Sequence, residues 1–511
     1  MENSTKKAGK QGFMIRFLNI VERVGNKLPD PFMLFVYLAV AVMVASFIFA
    51  QFNASVIHPG TGEDTLIRNL ISGEGLQFIL SSMITNFTGF APLGLVLAMM
   101  LGIGLAEKVG LLETAIKKTV LKAPPKLVTY AIVFTGIMGN IASDAANILI
   151  PPLAAMVFYK LGRHPLAGLA AGFASAGAGF TANLLVVGTD ALLAGISTEA
   201  AKIIDETIII TPVDNWYFNI ASVFVLTIVG GLITDKIIEP KLGKFTGKAV
   251  IQALDEDSPY ASKGLRNAAL AGLAYIGVLL LIIFWPDSPL RNEDGGMIPS
   301  PFLTGIVPII IFFFMSIGVA YGMTTGTVKS AKDISKYMSE SIQDLSGYIV
   351  LIFAASQFIA YFNWSNIGTW IAVNGAELLK EINLTGMSVI IGYIIFTALL
   401  NFLITSGSAK WALEAPVFVP LFMQLGYHPA FTQVAYRVAD SSTNIITPLN
   451  PFFIVILSFM RQYDKKAGIG TLISLMLPYS LAFLISWIIL ILVFFYGGIP
   501  FGPGVTPFYT P

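Results

Sequence analysis

The chain has 511 residues, of which 55% are hydrophobic and only 12% charged, and its mean hydropathy is +0.76. These values exclude an ordinary soluble globular protein and point to an all-α polytopic membrane protein whose main partner is the lipid bilayer. A formal net charge of +1 argues against nucleic acid as a partner, and the absence of cysteine excludes disulfides, thiolate metal sites and cysteine nucleophiles.

Residues 1–30 carry Lys6, Lys7, Lys10, Arg16, Arg23 and Lys27 and read as a cytoplasmic segment. They run into a full-length apolar stretch with no small-residue cleavage site, so a cleaved signal peptide is not expected. From residue 31 to 511 the chain reads as one integral membrane domain. A span near 32–51 leads outward, and a span near 88–106 returns to Lys108, Lys117, Lys118, Lys122 and Lys126, which mark the inside. The next apolar segment, about 127–161, is interrupted at Gly139-Asn140-Ile141-Ala142-Ser143-Asp144 yet ends at Lys160 and Arg163, which also favour the cytoplasm. It is expected to enter and leave on one side, as a re-entrant hairpin. A broken helix over about 165–196, interrupted at Gly177-Ala178-Gly179, then delivers Asp205, Glu206 and Asp214 outside.

Spans near 217–235, 267–285, 302–323 and 346–362 follow, with lysine-rich loops inside and Asp287, Glu293 and Asp294 outside. A second hairpin is expected at about 385–427, broken at Thr405-Ser406-Gly407-Ser408, and a second broken helix at about 429–460. A final span near 470–495 leaves the C-terminus outside. About nine transmembrane helices and two opposed hairpins result.

The two halves are copies. Leu161-Gly162-Arg163-His164-Pro165 and Leu425-Gly426-Tyr427-His428-Pro429 superpose when His164 is slid 264 residues onto His428, which also aligns Pro152 with Pro416 and Phe158 with Phe422. A further three-residue shift brings Thr181-Ala182-Asn183-Leu184-Leu185 onto Ser442-Thr443-Asn444-Ile445-Ile446. Five crossings lie between the hairpins, so the second copy is inverted, the pattern of secondary transporters in which broken helices meet near the bilayer midplane. The histidines could shuttle protons, but a turn role beside the following proline is favoured.

Charges inside apolar stretches mark function, because an ionised group at the bilayer centre costs about 2.5–3.5 kcal/mol on insertion scales. Arg437 and Asp440 share one helix face just before the break at Thr447-Pro448-Leu449-Asn450-Pro451. They are either an internal ion pair or a functional set in which Arg437 takes a substrate carboxylate and Asp440 a proton or cation. Asp190 has no basic neighbour in sequence and reads as a carboxylate that is cation-bound, neutral or water-lined. Lys410 and Glu414, four apart, are expected to pair with each other. Trp411 could stack on a planar substrate or simply belong to an interface. Asn140, Ser143, Asn183, Ser406, Ser408 and Asn444 supply neutral oxygens beside unwound backbone, either as ligands of two sodium sites or as caps of half-helices. An enzyme is not expected, since no metalloprotease helix, phosphate-binding loop or paired-aspartate motif is present. A channel is a rival reading, but inverted repeats with buried charges suit alternating access better.

The segments Asn86 to Gly94, Leu161 to Gly172, Ala182 to Leu185 with Asp190, Ala409 to Ala412, Ala435 to Pro448 and Gly470 to Ser480 resemble the p-aminobenzoyl-glutamate transporter (AbgT) family. The resemblance runs nearly the full length. It implies an elevator-type homodimer of the ion-transporter superfamily in the bacterial cytoplasmic (inner) membrane, driven by sodium ions or protons and holding no other cofactor. It further implies transport of p-aminobenzoyl-glutamate, a small aromatic carboxylate and folate catabolite, or export of sulfonamide antimetabolites. By the same resemblance the substrate pathway involves Asp190, Trp411, Pro429, Arg437, Asp440 and Pro448. The first hairpin tip departs from the family pattern by one hydroxyl, which makes the first sodium site the less secure of the two.

Overall fold

The computed structural model describes residues 29–57, 63–121, 123–142, 145–247, 259–298, 300–447 and 449–509. Ser143, Asp144 and Pro448, singled out from sequence, lie outside the described residues, as does most of the N-terminal segment.

Among the described residues, seven helices are long and apolar enough to cross a bilayer: Pro31–Gln51, Gly73–Lys108, Trp216–Leu242, Ala261–Ile283, Ile306–Thr325, Ser346–Trp364 and Ile469–Tyr496. Each overlaps one of the expected uninterrupted spans, with Ala261–Ile283 ending two residues before the expected 285 and Ile306–Thr325 starting four residues after the expected 302. The second is longer than expected, because the stretch before residue 88 is also helical. It consists of Gly73–Thr88 and Ala91–Lys108, separated at Gly89 and Phe90, with Pro92 in the first turn of the second part. Three elements fall where sequence suggested only loops. A two-stranded antiparallel ribbon pairs Ser55–Ile57 with Asp64–Leu66, and two amphipathic helices occupy Ala331–Asp344 and Ile367–Glu381.

Between the long helices lie the two copies of the repeat. The first comprises helices Val128–Met138 and Ala145–Lys160, joined by a 3-10 turn at Gly139–Ala142, then Pro165–Ala178, a non-helical stretch, and Gly188–Ala201. The second comprises Met387–Leu400 and Gly407–Gln424, then Pro429–Thr443, a 3-10 turn at Asn444–Ile446, and Phe452–Tyr463. The same local physics builds the corner of each. Gly162 at φ +69° and Gly426 at φ +86° end one helix in a conformation that side chains resist, and proline opens the next. Between them, His164 Nδ1 accepts from Leu166 N at 3.3 Å and His428 Nδ1 from Ala430 N at 3.2 Å. Both histidines are therefore helix caps.

Close approach within the first copy depends on missing side chains. A Cβ on Gly168 would sit 2.4 Å from the Ala154 carbonyl oxygen, and one on Gly172 would sit 2.8 Å from Pro151 Cα. The two copies then lock together: Gly188–Ala201 of the first packs on Gly407–Gln424 of the second. Thr181 and Ser441 also join the two breaks by a hydroxyl contact of 2.6 Å.

Candidate functional site

A cavity of about 450 Å³ opens where the two hairpin tips and the two helix breaks converge. Asn140 comes from the first tip and Thr405 to Ser408 from the second. Phe180 comes from the first break, and Asn444, Asn450 and Phe452 come from the second. Asn147, Thr189, Tyr436 and Asp440 also line it, beside the apolar Leu192 and Leu193. Irregular backbone is tolerated at membrane depth only where protein or water satisfies its freed groups. Here the breaks face this space.

The charges pair across helices, differently from the sequence expectation. Asp440 takes Lys410, whose Nζ lies 2.6 Å from Asp440 Oδ1. Arg437 takes Asp190, with Nη2 to Oδ1 at 2.8 Å. Asp190 is therefore not isolated, and Arg437 and Asp440 share a helix face but not a bond. All four side chains are buried to 2% exposure or less. Lys410 does not bond Glu414 either; its second partner is Asn401 Oδ1 at 2.8 Å. Glu414 Oε2 instead accepts from Tyr393 Oη at 2.7 Å and Thr397 Oγ1 at 2.6 Å. The reason is geometric: residues four apart on one helix compete poorly with rigid partners on a neighbouring helix when water is absent.

Asn401, not picked out from sequence, ties this region together. Its Nδ2 donates to the Asp440 carbonyl at 2.7 Å, to Thr443 Oγ1 at 2.8 Å and to Asn444 Oδ1 at 2.8 Å. It thereby fixes the end of helix Pro429–Thr443 against the second tip. Its position just after the last residue of Met387–Leu400, and four before the Thr405-Ser406-Gly407-Ser408 break, was the available signal. Tyr436, Phe180 and Phe452 were missed because aromatic residues in an apolar chain carry no sequence mark of facing a cavity.

Of the expected site residues, Asn140, Ser406, Ser408, Asn444 and Asp440 reach the cavity wall. Trp411 does not: it is fully buried, its Nε1 donates to the Leu193 carbonyl at 3.1 Å, and its ring lies 4.5 Å from that of Tyr436. Tyr436, behind which it packs, is the aromatic surface presented instead. Pro429 opens its helix at the His428 cap and is buried away from the cavity. Asp190 and Arg437 lie behind the wall, each occupied by the other.

Whether the neutral oxygens fit sodium differs between the copies. In the second, Asn444 Oδ1 is already an acceptor for Asn401, and Ser406 Oγ accepts from Ala409 N at 3.4 Å as the helix cap. In the first, both amide atoms of Asn183 and the Oδ1 of Asn147 are buried without a hydrogen-bond partner. Unsatisfied buried oxygens are what a hard cation requires, and the second copy holds them too: both carboxylate oxygens of Asp440 are buried without a hydrogen-bond partner, with the Lys410 ammonium beside them.

Long apolar helices enclosing interrupted helices and hairpin tips around a buried polar cavity define a multi-pass membrane carrier. The sequence matches the AbgT putative transporter family over residues 16–509, and the chain belongs to that family. It is 44% identical over 490 residues to the p-aminobenzoyl-glutamate transport protein of Escherichia coli (strain K12), covering 95% of this chain and 96% of that protein. The MtrF structure from Neisseria gonorrhoeae, described among antimetabolite efflux pumps, superposes with a TM-score of 0.90 at 43% identity, covering 96% of this chain and all of that one. The YdaH transporter of Alcanivorax borkumensis superposes with a TM-score of 0.88 at 39% identity, covering 93% of this chain and all of that one.

Proposed function

We propose that the protein is an ion-coupled secondary transporter of p-aminobenzoyl-glutamate-like folate catabolites or sulfonamide antimetabolites in the bacterial cytoplasmic membrane. The observation that carries this reading is the single cavity of about 450 Å³ walled jointly by both tips and both breaks. Its volume lies in the range of small-molecule sites, roughly 300–1,000 Å³. Phe180, Tyr436 and Phe452 offer ring faces to an aminobenzoyl or sulfonamide ring. The substrate's carboxylates meet Ser406, Gly407 and Ser408, the N-terminal end of helix Gly407–Gln424, where backbone N–H groups favour anions. Asn147 and Asn450 add amide donors. Arg437 serves by holding Asp190 behind the wall, and Trp411 by bracing Tyr436.

The seven long helices and the two interrupted ones, 165–201 and 429–463, supply nine spans, and the two helix pairs supply opposed re-entrant hairpins. The carrier works as a homodimer with alternating access of the elevator kind, its N-terminus cytoplasmic and its C-terminus outside. Sodium or protons provide the driving force, with Asp440 as the carboxylate nearest the cavity. Uptake and efflux of labelled p-aminobenzoyl-glutamate and of a sulfonamide in proteoliposomes, with sodium and proton gradients imposed separately, test the proposal. Gradient-driven movement of one or both supports it. Movement of a different organic anion alone would reassign the substrate, and movement of none would reject the carrier reading.

A further inference from the structure

A second space in the molecule shares no lining residue with the solute cavity. It is a crevice of about 470 Å³ between helix Ala261–Ile283 and the first repeat, with Leu265, Ala269 and Leu273 on one wall and Ala115, Ile141 and Leu185 on the other. No lining residue carries a polar side chain. Water gains nothing there, because a buried water needs two to four polar partners. The first tip is the partition between the two spaces: Asn140 lines the solute cavity and Ile141, the next residue, lines the crevice.

The length and the ends of this crevice fit one leaflet of a bilayer. Helix Ala261–Ile283 lines it from Leu265 to Ile276. Arg266 shares a helical stripe with Ala269 and Leu273, three and seven residues on, and it is exposed, as is Lys263 one turn before it. Ile276 lies ten residues beyond Arg266, or about 15 Å of helix. That is half of the hydrocarbon core, which is about 30 Å thick. Basic residues at a membrane face also follow from topology alone, and it is the crevice beside them that distinguishes this end. An apolar groove that starts at two exposed cations and ends at mid-depth has the charge and the reach for one acyl chain under an anionic headgroup. Without such a chain its lining atoms lack contact partners on one side.

We propose that the crevice holds one acyl chain of an anionic phospholipid, with the phosphate at Arg266 and Lys263 and the tail against Ile141 of the first tip. Delipidated full-length protein in a neutral detergent is titrated with dimyristoyl phosphatidylglycerol and, separately, with dimyristoyl phosphatidylcholine, and thermal unfolding is followed. The expected result is a saturable rise in Tm with phosphatidylglycerol that exceeds the rise with phosphatidylcholine. Ala269→Trp, which fills the crevice, abolishes the excess, and Ala115→Trp does the same from the facing wall. Arg266→Gln combined with Lys263→Gln brings the two lipids level, and because both positions are exposed this arm remains readable if a tryptophan variant fails to fold. Equal responses of the wild type to the two lipids overturn the proposal, as does a full excess in a folded tryptophan variant or in the double glutamine variant. A rise produced by sn-glycerol 3-phosphate alone marks a free-anion site and overturns it too. A change of oligomeric state in the tryptophan variants on size-exclusion chromatography would show that a second copy of the chain covers the crevice, and overturns it equally. The readout is lipid binding, so absence of transport bears only on the carrier reading.

Discussion

At the scale of single residues, the buried charges decide the account. Arg437 and Asp190 come from different repeats and meet at 2.8 Å with no solvent contact to soften the loss of either. Removing one partner of such a pair costs about 3–5 kcal/mol, because the survivor is left charged and unpaired. Arg437→Ala is therefore expected to lower the unfolding temperature sharply, and Asp190→Asn added to it should restore part of the loss. A double-mutant cycle on thermal stability measures this, and additive effects would show that the two side chains do not depend on each other. That Arg437, Asp440, Asp190, Lys410 and Glu414 are charges set within apolar runs was legible in sequence. Their partners were not legible. Pairing across helices, 247 residues apart for Asp190 and Arg437 and 30 apart for Lys410 and Asp440, is decided by packing, and the short-range rule of neighbours four apart misassigned Lys410 and Glu414.

At the scale of elements, the corner between each hairpin and its interrupted helix is the clearest unit. Gly162 and Gly426 adopt positive φ, and an added Cβ at either would meet nothing within 4 Å. The penalty for alanine is then purely conformational, about 1–2 kcal/mol. Gly162→Ala and Gly426→Ala should therefore lower stability by similar amounts, as thermal unfolding will report; a large difference would mean that the corners are not equivalent. This motif was fully readable beforehand, because glycine, capping histidine and proline act through local backbone geometry alone. The added ribbon and amphipathic helices were not, since their sequences lie between spans and were read only for charge.

The loop before Trp216–Leu242 holds a different kind of element. Asp214 is buried there and accepts from Thr211 N at 3.1 Å and from the Thr211 hydroxyl, yet burial pushes its carboxyl up from 3.8 to about 6. An acid raised in the folded state stabilises fully below its unfolded pKa, and that stabilisation is lost as pH rises through the folded value. Asp214→Asn removes the titration. Measured by thermal unfolding, the variant's stability relative to wild type should rise between about pH 4 and pH 7, by at most about 3 kcal/mol. A difference that stays flat across this range would contradict the shift.

At the scale of the whole molecule, two copies of one helical unit are brought together so that four interruptions share a single space. The repeat, the seven long helices and the broken segments were all present in the residue pattern, because bilayer length and buried charge leave strong marks on sequence. Which side chains face the cavity was only partly present. Serines and asparagines at breaks were identified by type, whereas Tyr436 in front of Trp411, and Asn401 behind Asp440, depend on rotations of helices that no sequence period resolves. The consequence is a revised site, in which the aromatic face is Tyr436 with Phe180 and Phe452, and the cations stand behind the wall as supports.

The central claim is that this cavity is the path of the solute, and counterflow addresses it most directly. Proteoliposomes loaded with unlabelled p-aminobenzoyl-glutamate are exposed to labelled solute without any ion gradient, using wild-type protein and Thr405→Trp, whose added ring fills the cavity at the second tip. The account predicts exchange by the wild type and its loss in a Thr405→Trp protein that is folded by thermal unfolding. Undiminished exchange in that variant, or none in the wild type, would contradict it.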